Sequence, residues 1–138
     1  MICYEEEQEF RRQMVSIDHK LPYISLATKK KSGEWVWTPV WFAETANGRS
    51  LYIFSADRAG KVKRLRNFEN VQIAPCTVTG RITGDSKDGL GHLIHDDSEV
   101  SAAYALLRSK YGWQVKLLDF FSRISGNLHS RQMIRVDF

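Results

Sequence analysis

Residues 35–55 read WVWTPVWFAETANGRSLYIFS. Two runs rich in aromatic and β-branched residues, 35–44 and 51–55, flank Asn47-Gly48. That dipeptide accepts the positive φ of a tight reversal and is a strong hairpin signal. Such a unit builds an antiparallel sheet, because a parallel pair needs a long crossover between its strands. The neighbouring segments repeat the pattern. Residues 21–28 (LPYISLAT) alternate as a strand, and 29–34 (KKKSGE) form a turn around Gly33. Residues 71–76 are a further strand, 78–84 and 89–95 continue the sheet with glycines at its bends, and 131–138 close it with Ile134, Val136 and Phe138 on one face.

Helical signals lie at the periphery. Residues 4–16 carry acids in the early turns and place Phe10 and Met14 on one face. Residues 59–67 have Val62 and Leu65 as their apolar positions. A helix capped by Ser98 spaces Val100, Tyr104, Leu107 and Tyr111 by three or four, and 113–124 is amphipathic. The expected domain is therefore a single unit over 1–138. It has a helical lead-in at 1–20, a barrel core at 21–96, a helical segment at 97–130 and a closing strand at 131–138. Six or seven sequential antiparallel strands with peripheral helices predict a mainly β fold, a closed or split barrel.

The chain has 138 residues, 43% hydrophobic and 26% charged, which excludes a disordered protein and suits one domain with its own core. No apolar run approaches the roughly 18 residues of a membrane helix. The acidic, polar start predicts no secretory signal, and two cysteines without a CxxC pair predict a reduced, cytoplasmic protein.

The net charge is +4, yet Arg58, Lys61, Lys63, Arg64 and Arg66 lie within residues 58–66 with no acid among them, so the remainder is slightly acidic. A protein that coats nucleic acid spreads its bases along a face; a compact cluster suits one small polyanion such as a phosphate. The cluster follows Ser55 and opens a helix, where backbone N–H groups already attract anions. Arg58, Lys61 and Arg64 can share one face and Lys63 and Arg66 a neighbouring one. From spacing alone, a solvated basic face is an equal reading.

Other chemistry-bearing residues are sparse. Pro39 in Thr38-Pro39-Val40-Trp41 marks an edge, a bulge or a ligand-facing rim, because proline cannot donate to the ladder. Trp35, Trp37 and Trp41 share a parity and suit a core or subunit interface. Cys76 reads as a small buried hydrophobe, and His19, His92, His95 and His129 lack metal-ligand spacing, so no metal is expected.

In order, TPVWF, the hairpin, a strand ending at Ser55, GKVKRLRN, VQIAPCTVTGRITG and KYG at 110–112 resemble the pyridoxamine-phosphate-oxidase-like split barrels that bind flavin or deazaflavin. The similarity covers about residues 21–136 and is greatest to the short, single-domain deazaflavin-dependent subgroup. The resemblance implies a six-stranded antiparallel split β-barrel and a homodimer with cofactor sites at its interface. It implies that backbone at Thr38, Pro39, Val40 and Trp41 contacts a tricyclic ring, and that Ser55, Lys61, Lys63 and Arg64 serve the cofactor phosphate. FMN and the 8-hydroxy-5-deazaflavin coenzyme both fit, with Arg58 and Arg66 available to a longer anionic tail. The chain lacks the C-terminal arginine-rich motif of the true oxidases, so vitamin B6 oxidation is not expected. The implied function is hydride transfer between bound cofactor and a small planar unsaturated substrate. The cofactor carries the chemistry, so no catalytic side chain is assigned; water, or a residue such as Tyr104 or Tyr111, is the candidate proton source. A non-catalytic carrier on the same fold and a small nucleic-acid-binding barrel are the rival readings.

Overall fold

A computed structural model describes residues 20–56, 59–77, 79–112 and 131–138. The helices expected over 4–16 and 113–124 lie outside them, as do Cys3, His19, Arg58 and His129. Seven antiparallel strands form one curled sheet: β1 (Ile24–Lys29), β2 (Trp35–Val40), β3 (Phe42–Glu44), β4 (Ser50–Ala56), β5 (Asn70–Pro75), β6 (Lys87–Ile94) and β7 (Arg131–Asp137). Their spatial order is β2-β1-β5-β6-β7-β4-β3. The two edges, β2 and β3, are consecutive in the chain and separated only by Trp41. The chain therefore joins the edges covalently and the sheet curls into a half-barrel.

The continuous strand expected over 35–44 is thus two strands meeting at a corner. Counted as one bent strand, they restore the six strands of the split barrel. The corner also overturns the shared parity of the tryptophans. Trp41 leaves the ladder and stacks on Tyr111, ring centroids 4.6 Å apart and planes at 13°. Two further expectations change. Of the strand expected over 78–84, the described residues 79–84 do not continue the sheet; a single bridge joins Cys76 to Ile82, and the Gly80 amide donates to the Thr77 carbonyl. The strand that follows begins at Lys87.

Period-2 burial explains the barrel. On β1, Ile24 and Leu26 face inward; on β4, Leu51 and Ile53; on β5, Val71 and Ile73; on β7, Ile134 and Val136. Each is essentially inaccessible to solvent. The Thr45–Ser50 reversal closes through the Gly48 amide to the Thr45 carbonyl, 2.9 Å, with Gly48 at φ 68°. That dihedral is one a side chain disfavours, which is why Asn-Gly reads so clearly here.

Helix α1 (Gly60–Asn67) buries Val62 and Leu65 in the same core. Helix α2 (Asp97–Tyr111) covers the outer face. There Ala103 and Leu107 pack with Ala43, Tyr52, Ile94 and Met133. Its cap is Asp96, not Ser98: the Asp96 carboxylate accepts from the Glu99 amide at 3.0 Å, and Ser98 lies inside the first turn. A polar row pins this end of α2 to the sheet. Arg135 on β7 donates to Glu99 at 2.5 Å and to Asp137 at 3.0 Å; Tyr52 on β4 donates to Glu99 at 3.2 Å; Ser50 donates to Asp137 at 2.7 Å.

The other end of α2 holds the corner. The Phe42 amide donates to the Tyr111 hydroxyl at 3.0 Å, and that hydroxyl lies within donating distance of the Pro22 carbonyl at 2.9 Å and the Phe42 carbonyl at 3.0 Å. One phenol thus takes the Phe42 amide and offers its single proton to the two carbonyls where the strand breaks. Burial pushes its pKa up to about 12, because the anion would lose its hydration. Tyr111→Phe should cost about 1–3 kcal/mol in urea unfolding, the usual penalty for orphaned buried polar groups. The pH dependence has a definite sign. A folded-state pKa above the unfolded value near 10 gives stability that is complete below pH 10 and is lost as pH rises through about 12. The wild-type protein should weaken over that interval, and Tyr111→Phe should lack that part of the loss.

Candidate functional site

Helix α1 begins four residues after β4 ends. Because Val62 and Leu65 must face the core, the 3.6-residue repeat sets Lys61 and Arg64 together on one flank and turns Lys63 outward. Lys61 and Arg64 are half-buried and Lys63 is exposed. The Arg64 Nε–H donates to the Thr28 Oγ1 of β1 at 2.6 Å, and Thr28 is fully buried. Among the described residues no carboxylate pairs with Lys61, Lys63 or Arg64. Burial, and then the neighbouring Arg64 charge, push the Lys61 ammonium below the ordinary lysine range.

The helix N-terminus beside them carries no opposing feature. Ala59 occupies the cap position without a side-chain hydrogen bond, and the first turn has no acid. Two partly desolvated cations and the positive end of a helix dipole therefore meet with no pairing carboxylate among the described residues. Arg66 is also on α1 and is engaged with its surroundings.

The other sequence-derived positions divide. Thr38 pairs with Leu26 and Val40 with Ile24, so both face inward, two and four residues from the Thr28–Val36 pair. Val40 is buried in the core; Pro39 faces outward opposite Ser25 and is exposed. Strand β2 pairs with β1 alone, so along its other edge its backbone meets no strand of the described chain. That is where a proline is tolerated. The Trp41 ring is spent on Tyr111 and, edge-on, on Phe54 at 6.2 Å. Ser55 is buried near the end of β4, paired with Gln132. Thr28 was not singled out in the sequence. Its signal was a polar residue continuing the inward parity of Ile24 and Leu26.

The remaining candidates are structural. Tyr111 holds the corner. Tyr104 lies tilted against Phe54, ring centroids 6.1 Å apart. His92 lies 3.3 Å from Asp137, and His95 is exposed beyond β6. Among the described residues no group of three or more His, Cys, Asp or Glu could hold a metal ion, and no helix is long and apolar enough to cross a membrane.

No family model matches the sequence, and no curated protein matches it significantly. Solved structures do share its fold. A proposed 5-nitroimidazole antibiotic resistance protein from Bacteroides thetaiotaomicron is 18% identical, with 92% of this chain and 78% of that one covered and a TM-score of 0.63. HutZ, the heme storage protein from Vibrio cholerae, is 18% identical over 99% of this chain and 90% of its own, with a TM-score of 0.61. A proposed pyridoxamine 5'-phosphate oxidase from Listeria innocua is 14% identical, with coverages of 94% and 90% and a TM-score of 0.56. The fold is thus the split barrel of pyridoxamine-phosphate-oxidase-like proteins.

Cys76 is buried and burial raises its thiol pKa, so little thiolate forms near neutrality. Iodoacetamide at pH 7.5 should modify Cys76 slowly in the native protein and at an ordinary rate in urea, as read by peptide mass mapping. Fast native labelling would contradict its burial.

Proposed function

We propose that the chain binds a phosphate-bearing tricyclic redox cofactor, FMN or the 8-hydroxy-5-deazaflavin coenzyme, and catalyses hydride transfer to or from a small planar unsaturated substrate. One observation carries the reading: Lys61 and Arg64 are held together at a helix N-terminus without a side-chain cap, and no carboxylate among the described residues pairs with them. Bringing two cations together and desolvating one is unfavourable, and a bound phosphate reverses that balance. The donor set therefore fits the phosphate of either cofactor. The fold supports the reading, since one neighbour that shares it is named as a proposed pyridoxamine 5'-phosphate oxidase.

The residues act by binding and orienting. Arg64 and Lys61 take the phosphate, with Lys63 adding longer-range attraction from the exposed flank. Ser55, at the strand end before α1, lines the approach to the phosphate. Backbone groups of Thr38, Pro39, Val40 and Trp41 on the edge of β2 supply hydrogen-bonding positions for the ring. The cofactor, when bound, supplies the hydride chemistry. Tyr111 is not its proton source, because its hydroxyl is committed to the barrel corner and stays protonated to about pH 12.

In this reading the protein is a homodimer in the cytoplasm, and the exposed edge of β2 lies where a second copy completes the ring site. A monomer in sedimentation velocity with cofactor bound would contradict that shared site. Titration with FMN and, separately, with the deazaflavin coenzyme should change the visible spectrum of at least one of them. Lys61→Ala with Arg64→Ala should weaken that binding about 30-fold or more, some 2 kcal/mol, after discounting two charged hydrogen bonds for their partial exposure. An unchanged dissociation constant would remove the phosphate assignment. Tight binding without turnover across electron acceptors would make the protein a carrier. Salt-sensitive oligonucleotide binding with no cofactor bound would favour the nucleic-acid reading.

A further inference from the structure

Arg64 is held in one orientation by two features on different elements. Thr28, fully buried on β1, takes the Nε–H at 2.6 Å. Gly60, one turn earlier on α1, leaves the space in which the rest of the guanidinium lies. A Cβ built at Gly60 would stand 2.7 Å from Nη1, 3.4 Å from Cζ and 3.5 Å from Nη2. Beyond the helix's own backbone, the three atoms nearest that position all belong to Arg64, and Gly60 is not in the left-handed region, so no backbone demand explains the glycine. The space it leaves belongs to Arg64.

The chemistry follows from the donor count. A guanidinium has five N–H groups in a rigid plane. Thr28 uses the one on Nε, which closes the fork formed by Nε and Nη2. The fork formed by Nη1 and Nη2 remains, lying over the first residue of α1, where the helix amides are uncapped. Two parallel N–H groups match two oxygens of a tetrahedral phosphate. A freely rotating arginine would add charge; an aimed one adds a preferred geometry.

We propose that Thr28 and Gly60 are positioning residues that aim the Arg64 fork at a phosphate monoester or diester, and so select the phosphate-bearing form of the ligand over its phosphate-free parent. This rests on the phosphate reading of α1. Three variants test it: Thr28→Val, Thr28→Ser and Gly60→Ala. One measurement is ligand-free: the Arg64 Nε–H resonance in a ¹H–¹⁵N spectrum. It should be protected from exchange in wild type and Thr28→Ser, and lost in Thr28→Val. The second is discrimination, as the ratio of dissociation constants for riboflavin and FMN by fluorescence quenching. The same ratio is taken for the deazaflavin coenzyme and its phosphate-free parent.

Thr28→Val and Gly60→Ala should each lower the discrimination about tenfold while leaving the phosphate-free ligand within about twofold of wild type. Thr28→Ser should keep it. Gly60→Ala should leave the thermal midpoint unchanged or slightly raised, because alanine is the better helix former and the guanidinium is free to swing away. Lower discrimination without lost stability is a result no purely structural role gives. It also keeps the test open should Thr28→Val fold poorly. If wild type discriminates and Thr28→Val and Gly60→Ala discriminate equally well, the aiming role is overturned while the phosphate site stands. If wild type itself prefers neither form, the phosphate reading fails and this proposal with it.

Discussion

Closure of the barrel depends on one phenol. The strand that begins at Trp35 leaves one edge of the sheet at Val40 and joins the other at Phe42. Turning within one residue frees the polar groups of Phe42, and α2 supplies Tyr111 to take up both its amide and its carbonyl. An unpaired buried amide or carbonyl costs about 1–3 kcal/mol, a sizeable part of the 5–15 kcal/mol by which a domain of this size is stable. The Trp41 ring, which the turn swings out of the ladder, stacks on the same tyrosine. Position of the helix and shape of the barrel are therefore one constraint. The Arg135–Glu99 pair fixes the opposite end of α2, so the helix is tied at both termini.

That constraint also creates the site. A strand that must leave the sheet at Val40 becomes an edge, and an edge keeps polar groups free along its open side. The inward residues on both sides of the site, Val40 on β2 and Val62 and Leu65 on α1, lie in a single cluster. Groups on the intervening positions inherit their placement from it. Rigid elements, not loops, thus carry the Arg64 and Lys61 side chains and the Thr38 backbone, and this favours a preorganised site.

Much of this was legible in the sequence, for reasons tied to particular residues. The hairpin at Asn47-Gly48 is a local matter of backbone conformation. Alternation along 21–28, 51–55 and 131–138 follows from one buried face. The corner was not legible, because the aromatic run around Trp41 keeps its period through the break; what ends the strand is Tyr111, distant in sequence. Ser98 and Asp96 are both good caps, and only the helix start decides between them. At the site, the spacing of Lys61 and Arg64 was enough to put them on one flank. Thr28 was not visible, since its pairing with Arg64 requires β1 and α1 to be docked.

The fold alone leaves the ligand open, because proteins of this architecture are named for heme storage and for antibiotic resistance as well as for oxidase chemistry. The side chains must decide. A heme protein commonly supplies an axial ligand to iron. Of the described histidines, His92 lies against Asp137 and His95 is exposed past the end of β6. Lys61 and Arg64 lie together on one flank of α1, partly buried, with Arg64 bonded to a buried hydroxyl. A phosphate is the small anion whose two oxygens match the fork that Thr28 leaves open, and the edge of β2 offers a planar ring its free backbone groups. The phosphorylated, ring-bearing cofactor proposed above would meet both conditions at once.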